Sequence, residues 1–255
     1  MRRRLILVAA AALLALAAAP LPAAEDATLP FPFVDFNVRA AQGNQETALS
    51  IQLLLLLTVL AIAPSILILM TCFLRISIVF DFVKRALSLQ NAPPNQVLMG
   101  LALFLTVFIM WPTLTDVYDN SLKPFGEGTI GLSEMYTQAE RPLRLFMFRQ
   151  MGNDAENIRL FMSMARLEKP ATLADVPTWV LIPAFVLHEM TVAFKIGILL
   201  YVPFIIIDMV VASTLMSMGM IMLPPVMIST PFKLILFVLV DGWGLITMQL
   251  VRSFR

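Results

Sequence analysis

The sequence has little of what most catalytic and metal-binding sites require. It contains one cysteine and one histidine in 255 residues, so it can form neither an internal disulfide bond nor a site built from several thiolates or imidazoles. Only 14% of the residues are charged, and the formal net charge is +1. This composition excludes the clustered basic surface of a nucleic-acid-binding domain. We expect no metal and no other cofactor.

Known catalytic motifs are also missing. His188 and Glu189 begin like the metal-binding helix of a zinc protease, but Val192 stands where the second histidine would be. The glycines at 126 and 128 lack the lysine of a phosphate-binding loop. We therefore expect no enzymatic activity, although the paired aspartates of an intramembrane protease would need no motif and stay open.

Apolar residues dominate what is present. They make up 59% of the chain, and the mean hydropathy is +0.85, whereas soluble domains contain about 45–50% apolar residues. The long apolar runs are separated by short polar segments. This pattern predicts an all-α, polytopic membrane protein built from helical hairpins.

The first residues resemble a secretory signal. A basic stretch, Arg2 to Arg4, precedes the apolar run from Leu5 to Leu16 and an alanine-rich end. We interpret residues 1–24 as a signal peptide, with an uncleaved membrane helix as the alternative. Residues 25–48 are rich in polar and proline residues, and we expect an exposed N-terminal arm.

Residues 49–112 are predicted to form the first transmembrane hairpin. One apolar run covers 49–74, and a second runs from Gln96 to Trp111 and ends at Pro112. The basic residues between them face the cytoplasm by the positive-inside rule. Residues 113–178 would then lie outside, and their amphipathic pattern predicts a small helical periplasmic domain with a helix opened by Pro142 and another by Asn153.

Residues 179–255 are predicted to form a second transmembrane hairpin. Its apolar segments are 179–207, 209–223 and 226–251. The middle segment is shorter than the roughly 20 residues of a membrane span, so we prefer a re-entrant, pore-lining loop at 209–225. Whether this segment crosses the bilayer stays open.

Six charged side chains lie within or beside the apolar segments. A lone charge in a bilayer costs several kcal/mol, so these residues should pair. We predict an intramembrane ion pair between Glu189 and Lys233. The other four intramembrane charges are Arg75, Lys195, Asp208 and Asp241. A role in stabilising the fold and a role in a transport pathway both stay open.

Six methionines lie within nineteen residues of this hairpin, between Met209 and Met227. Thioether side chains are unbranched and adaptable, and an apolar constriction can close a pore by excluding water. We predict a gate at Met218, Met220, Ile221 and Met222, with a hinge at Gly219, Pro224 and Pro225. Ordinary core or lipid-facing packing is the alternative.

Several stretches resemble the FliP family of flagellar biosynthetic proteins, which are membrane components of the type III export gate. They read TCFLRISIVF at 71–80, APPNQV at 92–97, GLALFLT at 100–106, PFIIID at 203–208, PFK at 231–233 and VLVDGW at 238–243. The family's methionine gasket corresponds to Met220, Ile221 and Met222, with isoleucine at the central position. Glu189 and Lys233 also match charged positions of the family.

The resemblance implies a pore-forming subunit in the bacterial cell inner membrane, at the flagellar basal body. Several copies would assemble with FliQ-like and FliR-like membrane subunits into a helical, ring-like oligomer. Unfolded flagellar proteins would pass through its central pore. The alternatives are a subunit of the related virulence injectisome, a secondary transporter with an intramembrane Glu/Lys site, and a scaffold that does not line the pore.

Overall fold

The computed structural model describes residues 44–89, 92–152, 156–170, 172–220 and 223–254. The predicted signal peptide and most of the predicted N-terminal arm lie outside these residues. Every regular element within them is helical, so the all-α prediction is confirmed for the described part of the chain. The helices are α1 Asn44–Leu69, α2 Phe73–Ala86, α3 Asn95–Val117, α4 Lys123–Gly126, α5 Leu132–Met151, α6 Glu156–Met164, α7 Thr178–Ser217, α8 Pro225–Leu239 and α9 Gly242–Arg252.

The chain divides into two units, one ending at Leu54 and one comprising Leu55–Arg255. The structure describes residues 44–54 of the first unit, which form the beginning of α1. The second unit contains the rest of α1 and all other helices. The functional residues discussed below all belong to this second unit.

The first long apolar run contains a helix break that the sequence analysis missed. We expected one span over 49–74, but α1 ends at Leu69 and α2 begins at Phe73. Thr71 bridges the break: its hydroxyl donates to the Ile68 carbonyl at 2.6 Å and accepts from the Phe73 amide at 3.3 Å. Threonine side chains compete with the backbone for hydrogen bonds in this way, and hydropathy does not register the effect.

Helices α2 and α7 form the centre of the second unit. Phe82 of α2 lies against Gly197 of α7, and its ring makes edge-to-face contacts with Phe194 and Tyr201 one turn to either side. A Cβ atom at position 197 would stand 2.5 Å from the Phe82 ring. Glycine at this position therefore allows the ring to pack directly on the helix backbone.

Helix α7 is 40 residues long and passes through two prolines, Pro183 and Pro203. Residues 209–223 were predicted to form a re-entrant loop separate from the preceding segment, whereas the structure continues α7 to Ser217. Prolines are tolerated inside membrane helices because neighbouring groups satisfy the freed carbonyls. Only residues 218–224 connect α7 to α8.

The last two helices form a bent pair. Helices α8 and α9 meet at an angle of 63° across Val240 and Asp241. Asp241 has φ +51° in the left-handed region, where aspartate is one of the few tolerated residues. Trp243 then packs its ring edge-on against Phe80 of α2 and Phe237 of α8, which ties the bend to the core.

The region after α3 is helical, in keeping with the sequence pattern, although its helices begin elsewhere. Helix α3 passes through Pro112 to Val117, and α5 begins at Leu132 with Pro142 inside it. Helix α6 buries Ile158 and Met162 on one face, while Asn153 lies outside the described residues. The Arg144 guanidinium holds the segment before α7 by donating to the Val176 carbonyl at 2.7 Å and to the Thr178 hydroxyl.

Among the described residues, three helical stretches are long and apolar enough to cross a membrane, and the bent α8–α9 pair would make a fourth. The three are Ser50–Leu69, Asn95–Gly126 and Thr178–Ser217. Much of their apolar surface is exposed in the single chain. Lipid or other protein chains must therefore cover it.

Candidate functional site

The first element of the site is a buried ion pair between α2 and α7. The Arg75 guanidinium binds the Glu189 carboxylate through two nitrogens: Nε donates to Oε2 at 2.8 Å, and Nη2 donates to Oε1. Both side chains are almost completely buried. Charge-assisted, two-pronged bonds of this kind are the strongest hydrogen bonds between side chains. The pair therefore fixes α2 against α7 at one end of α2.

Arg75 also binds the segment that follows α9. Its Nη1 donates to the Ser253 carbonyl at 3.1 Å and to the Ser253 hydroxyl at 3.2 Å, and its guanidinium lies 4.0 Å from the centre of the Phe254 ring. Gln150 of α5 donates to the Phe254 carbonyl at 3.1 Å. One arginine thus joins three parts of the chain that are far apart in sequence.

The second element joins α7, α8 and the end of α2. The Lys233 ammonium donates to Asp208 Oδ2 at 2.7 Å, to the Ser88 hydroxyl at 2.9 Å and to the Ala86 carbonyl at 3.3 Å. The other Asp208 oxygen accepts from the Ser229 hydroxyl at 2.6 Å. Lys233 is almost fully buried, and all three of its protons have acceptors.

The predicted pair between Glu189 and Lys233 is wrong, because each residue has a different partner. Arg75 lies in the first turn of α2, where the helix dipole disfavours a cation and a carboxylate offsets it. Lys233 belongs to α8, and its ammonium lies against the other end of α2, where the last carbonyls of that helix favour a cation. The two ends are about 16 Å apart, since 11 residues separate Arg75 from Ala86 and each residue of an α-helix rises about 1.5 Å.

The methionine-rich segment forms the tip of a helical hairpin. Gly219 follows the last turn of α7 with φ +75°, and its amide donates to the Met216 carbonyl at 3.0 Å. The Met220 amide donates to the Leu215 carbonyl at 3.0 Å, which completes the usual glycine-dependent helix end. Pro224 and Pro225 then begin α8 with preset backbone angles.

The methionines at the tip face outward in the single chain. Met218 is 72% exposed and Met220 is 40% exposed, while Ile221 and Met222 lie outside the described residues. The Asp208–Lys233 link stands nine residues before the end of α7, or about 14 Å along the helix. The hairpin is therefore clamped well below a tip that carries exposed thioether side chains.

The remaining predicted charges are not part of either link. Lys195 is exposed on α7 and makes no ion pair within the described residues, and Asp241 is exposed at the α8–α9 bend. The hydrogen bonds of Ser88, Ser229 and Ser253 to the charged residues were not predicted, because a serine carries no signal of its own among apolar residues. Within the described ranges, no three His, Cys, Asp or Glu side chains converge as a metal site would require.

Comparison with known proteins identifies the family. A sequence model of the FliP family matches residues 56–250, which include both ion pairs and the methionine tip. The chain belongs to the FliP family. This match confirms the resemblance that the quoted stretches suggested.

Individual relatives agree with the family assignment. The chain is 66% identical to the flagellar biosynthetic protein FliP of Treponema pallidum (strain Nichols), over 88% of this chain and 82% of the relative. It is 57% identical to FliP of Borreliella burgdorferi, over 89% and 88% of the two chains. It is 52% identical to FliP of Bacillus subtilis (strain 168), over 86% and 98%. The chain is therefore a membrane protein of flagellar biosynthesis.

Proposed function

We propose that this FliP-family chain is a pore-forming subunit of the flagellar type III protein export gate. In this proposal several copies assemble with FliQ-like and FliR-like membrane subunits in the bacterial inner membrane. The assembled gate conducts unfolded flagellar proteins, and the chain itself catalyses no reaction. The flagellar names of the relatives favour this role over that of a virulence injectisome subunit.

The observation that carries the proposal is the exposed methionine tip on a clamped hairpin. Met218 and Met220 are held away from the core of their own chain, so they are available to meet the same residues of neighbouring copies. A collar of flexible thioethers can adapt to passing side chains and close again behind them. A narrow apolar collar also excludes water and ions when no polypeptide occupies it.

The buried charges support a structural role in this proposal. Both carboxylate oxygens of Glu189 accept hydrogen bonds from Arg75, and Lys233 is saturated by its three acceptors. Neither residue offers a free group to a small solute. This arrangement is unfavourable for a secondary transporter that binds its substrate at these residues.

The proposal is tested by replacing Met218, Met220 and Met222 together with alanine in cells that assemble the export gate. We expect resting cells of this variant to lose membrane potential, measured with a potentiometric dye, because the collar is widened. Met164 is 70% exposed at the end of α6 and is not part of the α7–α8 hairpin, and Met164→Ala is the matched control. A preserved potential, with normal amounts of purified gate complex, would favour a scaffold that does not line the pore.

A further inference from the structure

Lys84 is a buried cation without a carboxylate. Lys84 is only 8% exposed. Within the described residues its ammonium makes one side-chain hydrogen bond, to the Asn95 amide oxygen at 2.6 Å. Arg75 and Lys233, the other buried cations among the residues that the structure describes, each have an acidic partner. A buried ammonium without a counter-ion is costly. Lys84 therefore has two protons and a charge available for an anion.

An open groove of about 580 Å³ lies beside this ammonium. Its wall combines the end of α2 with the first turns of α3 and α8 and the middle of α7. The lining residues are Asp81, Lys84, Arg85, Ser88, Leu89, Asn95, Tyr201 and Val226. The Asn95 amide of α3 and the Val226 amide of α8 have no acceptor within their own helices, and helix N-termini attract anions.

The charge of the groove is positive. Lys84 and Arg85 face one carboxylate, Asp81, which binds Arg85 at 2.7 Å. Both members of that pair are exposed, so their mutual attraction is weak and an incoming anion can share Arg85. The Tyr201 hydroxyl makes no hydrogen bond within the described part of the chain and adds a free donor to the same wall.

We propose that this groove binds the phosphate of an anionic phospholipid. The groove adjoins the first residue of the Asn95–Gly126 stretch, where a membrane span would begin. Exposed apolar side chains continue from it along α3 and α8, starting with Val97 and Val226, and offer a surface for acyl chains. The basic end of a span faces the cytoplasmic leaflet, which is rich in anionic lipids. This inference extends beyond the proposed export function.

The test uses the purified full chain in detergent with added phosphatidylglycerol or phosphatidylcholine, and native mass spectrometry to count bound lipid. We expect preferential retention of phosphatidylglycerol. Lys84→Gln should reduce that preference about fivefold, because one basic group near a lipid surface contributes about 1 kcal/mol. The matched control is Lys195→Gln, which removes the same charge from an exposed position on α7 and should keep the preference.

Arg85→Gln keeps the test decisive if Lys84→Gln fails to fold, since Arg85 is exposed and outside the core. We expect a smaller but measurable loss of phosphatidylglycerol preference in that variant. Equal retention of both lipids by the unmodified chain would overturn the proposal, as would equal losses in Lys84→Gln and Lys195→Gln. Displacement of the lipid by inorganic phosphate at a similar concentration would overturn its assignment to a phospholipid.

Discussion

Replacing Arg75 by methionine would leave the Glu189 carboxylate buried without its partner. Both side chains are at most 3% exposed, and loss of one member of a buried pair costs about 3–5 kcal/mol. Replacing Glu189 by methionine should cost less, because Arg75 retains its bonds to Ser253 and its contact with Phe254. In the double variant both charges are gone, so about 0.5–3 kcal/mol of the summed loss should return.

The assay is thermal unfolding of the purified chain in detergent, followed by near-ultraviolet circular dichroism. Trp243 reports on the core because it packs against Phe80 and Phe237. For a chain of this size 1 kcal/mol corresponds to roughly 2–4 °C in Tm, so Arg75→Met should lower Tm by roughly 6–20 °C. The double variant should lose roughly 1–12 °C less than the sum of the two single-variant losses in Tm.

The same Glu189→Met change provides a control when it is combined with Lys233→Met. Lys233 binds Asp208 instead of Glu189, and the two links lie about 16 Å apart along α2. Their effects should therefore add within about 0.3–0.5 kcal/mol. Rescue of Lys233→Met by Glu189→Met, or no coupling between Arg75→Met and Glu189→Met, would refute the pairing described here.

Two glycine substitutions test the packing and the hairpin tip. Gly197→Ala should lower the free energy of unfolding by about 1–3 kcal/mol, because the new methyl group would collide with the Phe82 ring. Gly100→Ala, the same change at an open helix position, should stabilise the chain slightly. Equal Tm values for the two variants would contradict the contact between Gly197 and Phe82. Gly219→Ala should cost about 1–2 kcal/mol because of its φ of +75°. Gly126→Ala, at an open position without a positive φ, should have little effect. A Tm unchanged by Gly219→Ala would mean that the tip adopts another conformation.

The class of fold could be predicted from the sequence because long apolar runs without strand-like alternation have few solutions in a membrane. The helix boundaries were harder to predict from the sequence. The break at Thr71 depends on two local hydrogen bonds, and the run through Leu74 gives no sign of them. The continuation of α7 to Ser217 was missed because residues 209–223 were judged alone, although only one polar residue, Asp208, separates them from the apolar residues before.

The charged residues show a similar division between what was predictable and what was not. That charges in apolar segments require partners follows from the cost of a lone charge, and four of the six predicted charges do form two buried or half-buried pairs. Which residues pair depends on the crossing of α2, α7 and α8. Glu189 and Arg75 are 114 residues apart, and a single sequence contains nothing that selects this pair over Glu189 with Lys233.

The proposal that the methionine tip closes a protein-conducting passage is tested most directly by crosslinking. A photoreactive amino acid at position 218, in cells whose export gate holds a stalled flagellar substrate, should crosslink to that polypeptide. The same amino acid at Met164, exposed on α6, should not. Crosslinks from position 218 to lipid alone, with the stalled substrate present in the gate, would contradict the proposed position of the tip.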